Sequence, residues 1–402
     1  MPRRHLVLIS QIPLWSMGRR TGGPAFISTL EHLGRHFDVS LITPETEYVD
    51  PSAVPAGVTL HTFHHRLHGA LRSVPKLGWL TDTLGWFTFQ WSAWPLVKRI
   101  AKDRRPDIVY GYEIYGVPVA RKAADRFLVP MVARYQGTLM TERRHQRFAG
   151  LRYLKHLRAL RTPADLIVMT DDGTQGDVIL RDLGHPDARV RFWMNGVDRA
   201  ITQAPPSDIR AELGIAEDVP LLLTVSRLML WKRVDRAIAL LGELARRGST
   251  AQLVVVGVGP LRERLEQQAA EKGVRERVHF VGGVERERLA AFYRAASLLL
   301  SLYDYSNLGN PAFEAMLLGT PLLALDVGGT DHLVHDGENG LLVQQADDPK
   351  ALADVVERLL ADPAGLRALG RRAAEWAAAN LWDWDARMNA EFAAIDDLLR
   401  DR

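Results

Sequence analysis

Short, unbroken apolar runs alternate along the chain with stretches of helical spacing. The runs fall at residues 6–10, 39–43, 107–110, 131–135 and 166–170, and again at 221–225, 253–257, 278–281, 297–301 and 321–325. They are continuous rather than alternating, as in parallel strands covered by helices on both faces. Between them, residues 235–247, 261–272, 286–296 and 349–361 repeat apolar side chains three and four apart, which predicts amphipathic helices. Strand and helix in regular alternation predict an α/β class of doubly wound sheets. Two series of runs predict two Rossmann-like domains. The breaker cluster Pro205-Pro206-Ser207 separates the series, so the expected domains are 1–200 and 201–381. The segment 364–401 is helical, rich in Ala and Arg, and has no strand left to cover.

Composition narrows the class. The chain has 402 residues, 47% hydrophobic and 25% charged, which excludes disordered, collagen-like and coiled-coil proteins. No apolar run approaches the ~20 residues of a membrane-crossing helix, and the first residues lead into a strand-like run rather than a signal-peptide core. There is no cysteine. Disulfides, thiol catalysis and Cys-ligated metals are therefore excluded, and the expected location is the cytoplasm. Residues 1–200 hold 28 Lys and Arg against 18 Asp and Glu, a balance of +10, and residues 201–402 hold 23 against 30, a balance of −7. The basic half suits phosphates, nucleic acid or an anionic membrane. It carries no nucleic-acid motif, so nucleic acid is not an expected partner.

Doubly wound sheets bind ligands at the C-terminal ends of their strands, so the residues after each run carry the chemistry. The most informative stretch reads Tyr303-Asp304-Tyr305-Ser306-Asn307-Leu308-Gly309-Asn310-Pro311-Ala312-Phe313-Glu314-Ala315-Met316-Leu317-Leu318-Gly319-Thr320-Pro321. Asn310 is a good N-cap, Pro311 suits the first helical position, and Gly319 fits the left-handed residue past the end. A helix over 311–318 would aim free N–H groups and a positive dipole end at the strand ends, a ready site for a diphosphate. Glu314, one turn in, can accept hydrogen bonds from a sugar diol. A surface helix with a dipole-favouring Glu is the alternative. Arg227 and Lys232 follow a strand five residues apart, a spacing that lets a fork and a point charge approach one phosphate. Gly257 and Gly259 hint at a dinucleotide fingerprint, but Arg262 stands where its third glycine is needed.

The 303–321 stretch resembles the C-terminal signature of retaining GT-B glycosyltransferases, especially family 4, which reads Glu-Gly-Phe-Gly-x4-Glu-Ala-Met-x2-Gly-x-Pro. Gly309, Glu314, Ala315, Met316, Gly319 and Pro321 match in register. Further matches follow the family's order: Asn195-Gly196-Val197-Asp198, Ser226-Arg227-Leu228 with Lys232-Arg233, Gly257-Val258-Gly259-Pro260, Val278-His279-Phe280-Val281-Gly282 and Gly337-Glu338-Asn339-Gly340. Gly22-Gly23 looks like its N-terminal glycine loop, an ordinary turn being the alternative. The resemblance implies a GT-B fold with the active site in the cleft between two domains and the last helix, about 382–402, crossing back to the first. It implies a UDP-, GDP- or ADP-sugar donor, a glycan or lipid-linked acceptor, and no metal or other cofactor. Arg227 and Lys232 would stabilise the leaving diphosphate and Glu314 would hold the ribose hydroxyls. Leu308, Gly309 and Asn310 would offer backbone N–H groups, Val281 would lie near the base, and Gly22 and Gly23 near the donor phosphate or acceptor. Gly257 and Gly259 belong to the same donor-binding set.

Two departures stand out. Ser306 replaces the family's first signature Glu, so Asn307 or Asn310 would contact the donor sugar instead. Gln136, after the fourth N-terminal strand, stands where many relatives have His; it can hydrogen-bond the sugar but is no general base. A nucleotide-sugar epimerase and a binding protein with a decayed donor site remain as alternatives. Asp383-Trp384-Asp385 resembles a metal-binding Asp-x-Asp but reads as helix entry. Residues 142–161 carry seven Arg or Lys and one acid with apolar residues at helical spacing, predicting one basic amphipathic helix suited to an anionic membrane. Trp79, Trp86, Phe87, Phe89, Trp91 and Trp94 read as core, an acceptor wall or a membrane wedge.

Overall fold

The computed structural model describes residues 3–12, 24–45, 54–65 and 78–400. The chain divides into two compact units. The first comprises residues 1–171, 175–195 and 384–402, the second residues 172–174 and 196–383.

The first unit is built on a seven-stranded parallel sheet: β1 (His5–Ile9), β2 (Asp38–Pro44), β3 (Val58–Phe63), β4 (Ile108–Tyr112), β5 (Met131–Tyr135), β6 (Leu166–Thr170) and β7 (Val190–Trp193) in the order β3-β2-β1-β4-β5-β6-β7. The second has a six-stranded parallel sheet: β8 (Leu221–Val225), β9 (Gln252–Val256), β10 (Val278–Gly282), β11 (Leu298–Ser301), β12 (Leu322–Leu325) and β13 (Leu341–Val343) in the order β10-β9-β8-β11-β12-β13. All ten expected strands form. The three that the apolar runs missed, β3, β7 and β13, are edge strands. They cover less apolar surface, and β3 reads Val-Thr-Leu-His-Thr-Phe.

The two-sided burial explains the unbroken runs. In β1, Val7 and Ile9 join one core with Val109, Met131 and Phe89, while Leu6 and Leu8 join another with Val39, Leu41 and Val132. Alternate residues of a strand face opposite sides of the sheet. The second core also contains Trp384, Met388, Phe392 and Ile395. The helical C-terminal segment breaks after Pro363–Asn380, and its last helix, Trp384–Arg400, thus belongs to the first unit. Asp385 accepts from His32 at 2.7 Å and Arg35 at 3.0 Å, so the Asp-Trp-Asp string opens this helix and ties it to the helix Pro24–His36.

One expectation for the basic half is corrected. Residues 142–161 are not one helix. They form the short helices Met140–Arg143, Ala149–Arg152 and Leu154–Leu160, broken where Phe148 takes a left-handed φ of 63°. The aromatic run is divided between core and surface. Trp86 and Phe89 are buried, but Trp91 is exposed on the outer side of the helix Gly78–Asp103; the Trp79 side chain lies outside the described set. Among the described residues, no helix is long and apolar enough to cross a membrane.

Candidate functional site

The second unit gathers its strand-end loops around the one after β8. Strand β8 pairs with β9 on one side and β11 on the other, so the loops that follow these strands meet. Ser226 N–H donates to Val256 O at 3.0 Å and Leu228 N–H to Val258 O at 2.9 Å, which pins Arg227 between them. Gly257 and Gly259 permit this approach. A Cβ at Gly257 would stand 1.8 Å from Ser226 O, at a φ of 140°, and one at Gly259 would stand 2.5 Å from Leu228 O. The two glycines are thus scaffold for the Arg227 loop. Gly257→Ala is expected to cost at least about 2 kcal/mol through overpacking and backbone strain, read as a lowered melting temperature. An unchanged melt would contradict this packing.

Arg227 is exposed, and among the described residues its guanidinium has no hydrogen-bond or ion-pair partner. Arg233, by contrast, is spent on Asp235, Asp304 and Asp347 at 2.8–3.1 Å. Between them, the Lys232 ammonium sits 3.8 Å from the centre of the Tyr303 ring and 4.1 Å from that of Trp231. Both faces attract a cation. The chain holds this cage shut, since Asp304 N–H donates to Trp231 O at 3.0 Å and Tyr303 O–H donates to Val225 O at 2.8 Å. Burial lowers the Lys232 pKa to about 7; Arg227 adds to the shift and Asp172 opposes it. An anion entering here favours the charged form, so binding at pH 8 is expected to take up a proton. Calorimetry of nucleoside diphosphate binding in buffers of different ionisation enthalpy would show it. Uptake that persists in Lys232→Arg would place the proton elsewhere.

The loop from Tyr303 runs into the helix Asn310–Leu317. Its N-cap is Gly309, and no side chain caps it. Asn310 is therefore the first helical residue rather than the cap, which leaves the N-terminal N–H groups without a side-chain acceptor. Gly319 takes the expected left-handed conformation, φ 71°. Ser306 also lies there, at φ 58°. Asn307 is not available to a sugar. Its Oδ1 accepts from Ser301 Oγ at 2.8 Å and Tyr303 N–H at 3.3 Å, and its Nδ2 donates to the carbonyls of Tyr303 at 3.1 Å and Leu325 at 3.3 Å. It staples the loop to the ends of β11 and β12. Leu308 is buried and packs toward Gly173, whose carbonyl accepts from Gly329 N–H at 2.9 Å.

Glu314 is buried one turn into this helix. Tyr293 O–H donates to its Oε2 at 3.0 Å, and Arg286 reaches Oε1 at 3.4 Å while pairing with Asp198 at 3.2 Å. Burial pushes its pKa up to about 6, against the pull of Arg286 and Tyr293. Each carboxylate oxygen keeps a further lone pair. Val281 lies at a bulge in β10, where the pairing register with β9 shifts between Phe280 and Gly282. Sequence reading missed Trp231, Tyr293 and Arg286, and quoted Tyr303 without a role. Asp198 was quoted only as part of a motif.

In the first unit, Gln136 follows β5. Its backbone N–H donates to Glu113 at 2.6 Å and its Nε2 to Tyr112 O–H at 2.5 Å; its Oε1 accepts from Asn195 at 2.8 Å. Asn195 accepts in turn from Arg134 at 3.1 Å. Arg134 is fully buried and paired with Glu391, which Tyr110 meets at 2.5 Å and Arg387 at 3.0 Å. The last helix thus reaches Gln136 through a chain of polar contacts. Gly22 and Gly23 lie outside the described residues.

Residues 207–376 match the family model described as glycosyl transferases group 1. These residues resemble the group 1 glycosyl transferases and lie within the second unit. The resemblance to GT-B enzymes of family 4 is borne out by this match. The chain is 34% identical over 209 residues to an alpha-D-kanosaminyltransferase from Streptomyces kanamyceticus, covering 51% of this chain and 53% of the relative. It is likewise 34% identical over 213 residues to a GDP-mannose-dependent alpha-(1-6)-phosphatidylinositol monomannoside mannosyltransferase from Mycolicibacterium smegmatis, covering 50% and 55%. The chain spans about half the length of the curated relatives it matches. In solved structures, sucrose-phosphate synthase from Thermosynechococcus elongatus shares the fold with a TM-score of 0.78 at 24% identity, over 100% of both chains. The fold of this chain is the GT-B fold, two Rossmann-like units with parallel sheets. Both relatives are named as transferases, which leaves the epimerase alternative without support.

Proposed function

We propose that this protein transfers a sugar from a nucleotide-diphosphate donor to a hydroxyl acceptor, with retention at the anomeric carbon and without a metal. The observation that carries the proposal is the cation pair after β8: an unpartnered Arg227 beside Lys232 caged on Tyr303, the first residue of the loop leading to the helix Asn310–Leu317. A departing diphosphate needs positive charge where its own charge develops, and a helix N-terminus adds partial charge of the same sign. In the proposed reaction the bond between the anomeric carbon and the phosphate oxygen breaks. The acceptor oxygen bonds to that carbon from the same face, and the acceptor proton passes to the leaving phosphate. The nucleoside diphosphate then leaves. Gln136 would hydrogen-bond the donor sugar and Glu314 the ribose. A UDP-, GDP- or ADP-sugar fits these groups, and the M. smegmatis relative, named for GDP-mannose and a phosphatidylinositol mannoside, supports a nucleotide-sugar donor and a lipid-linked or glycan acceptor. The proposed location is the cytoplasm.

The test is acceptor-dependent release of nucleoside diphosphate from UDP-, GDP- and ADP-sugars, run beside thermal shifts with the same donors. Release with formation of a glycoside supports transfer. A thermal shift without turnover over a broad acceptor panel would turn the reading to a binding protein, and no shift with any donor would overturn it.

A further inference from the structure

We propose that Asn195 is a positioning residue that holds the Gln136 amide in one orientation, with an N–H rather than the carbonyl left for the donor sugar. The inference rests on the transfer reading and sharpens it. The sugar atom that meets Gln136 is then a hydrogen-bond acceptor, a hydroxyl or ring oxygen, and not a protonated amine.

The first unit's sheet and the last helix bring the parts together. Arg134 lies two residues before Gln136 and is the register partner of Tyr112 on β4. From the last helix, Glu391 binds one arm of the Arg134 guanidinium. Arg387, on the same helix, holds the residues just before Asn195. Its Nε donates to Met194 O at 3.0 Å, and its guanidinium lies 4.8 Å from the centre of the Trp193 ring. The other arm of Arg134, Nη2, donates to Asn195 Oδ1 at 3.1 Å.

The direction of this chain of contacts is set at its buried end. A guanidinium only donates, so Asn195 turns its oxygen to Arg134 and its Nδ2 to Gln136. Nδ2 donates to Gln136 Oε1 at 2.8 Å, and the Thr170 hydroxyl approaches the same oxygen at 3.5 Å. The Gln136 carbonyl is thus occupied, and Nε2 donates to the Tyr112 hydroxyl oxygen at 2.5 Å. A flipped Gln136 would set N–H against N–H at Asn195. Flipping Asn195 as well would only move that clash to Arg134, which is fully buried and where an unmatched donor costs most. Nε2 carries two hydrogens. One goes to Tyr112, and among the described residues the other has no acceptor. That second N–H is the group Gln136 has left to offer.

Calorimetry with UDP-glucose, GDP-mannose and ADP-glucose, each against its nucleoside diphosphate, reads the sugar's share of binding as a ratio of affinities. Asn195→Asp is nearly isosteric and still accepts from Arg134, but it offers Gln136 no donor, so the Gln136 amide turns over. For the nucleotide sugar that the parent binds most tightly, this variant is expected to lose roughly five-fold or more in affinity, with the nucleoside diphosphate held within about two-fold and the melting temperature retained. Asn195→Ser is smaller but can accept and donate, so it is expected to lose less than Asn195→Asp; a packing role would reverse that order. Gln136→Glu carries the test if Asn195→Asp does not fold. Its carboxylate accepts from Asn195 and has no N–H for the sugar, so the same loss is expected at neutral pH and a smaller one in acid, where protonation returns a donor. Parent-like affinity for the nucleotide sugar in these variants, a loss shared equally by the nucleoside diphosphate, or Asn195→Ser falling below Asn195→Asp would overturn this inference alone. A parent that binds none of the nucleotide sugars would overturn the transfer reading and this inference with it.

Discussion

Lys232→Ala is expected to lower kcat/KM for the nucleotide sugar by roughly ten-fold or more, equivalent to about 1.4 kcal/mol or more of lost transition-state stabilisation. The ammonium is held between Trp231 and Tyr303, at 4.1 and 3.8 Å from the ring centres. It is thereby pre-positioned and needs no reorganisation when charge develops on the leaving oxygen. Its neighbour Arg233 cannot substitute, being bound to three carboxylates. Arg227→Ala is expected to act in the same direction. Steady-state rates on variants whose melting matches the parent check the prediction. Near-parent rates would remove Lys232 from the site.

Glu391→Ala is expected to be the most damaging single change to stability. Glu391, Arg134 and Arg387 are all fully buried, and the one carboxylate answers both guanidinium groups. Truncating it leaves two uncompensated charges in the core, a loss of about 3–5 kcal/mol. For a unit of this size that is a fall in melting temperature of about 6–20 °C. Burial alone would raise the Glu391 pKa, but Arg134 and Arg387 hold it below the ordinary 4.5. With a lowered folded pKa, its stabilisation is complete above the ordinary value and is lost as pH falls through the lowered one. Thermal melts from pH 7 downward are therefore expected to converge for parent and variant in acid. A variant with the parent's melt at pH 7 would contradict the network.

The sheets were legible because their central strands are buried on both faces, and burial writes itself as unbroken apolar runs. The edge strands β3, β7 and β13 were not, because an edge strand such as Val-Thr-Leu-His-Thr-Phe covers less of a core and keeps polar residues. At the site, the residues that follow each strand could be read directly, so Arg227, Lys232 and Glu314 were named from order and spacing. Their partners could not. Tyr303 meets Lys232 only because β8 and β11 are neighbours in a crossover order, and Tyr293 meets Glu314 across two different helices. Asn307 shows the opposite failure. An Asn in a polar loop reads as a ligand contact until its four internal hydrogen bonds are seen. Phe148 explains the broken basic segment: helical spacing over 142–161 carries no signal for one residue in a left-handed conformation.

The central claim is that the loop after β8 binds the diphosphate of a nucleotide sugar. Calorimetric titration with a nucleoside diphosphate and the matching monophosphate tests it most directly, on the parent and on Arg227→Ala/Lys232→Ala. The parent is expected to bind the diphosphate at least about ten-fold more tightly than the monophosphate, a preference of about 1.4 kcal/mol, and the double variant is expected to lose that preference while retaining its fold. Equal affinity for the two nucleotides in the parent, or a preference that survives in the double variant, would contradict the account.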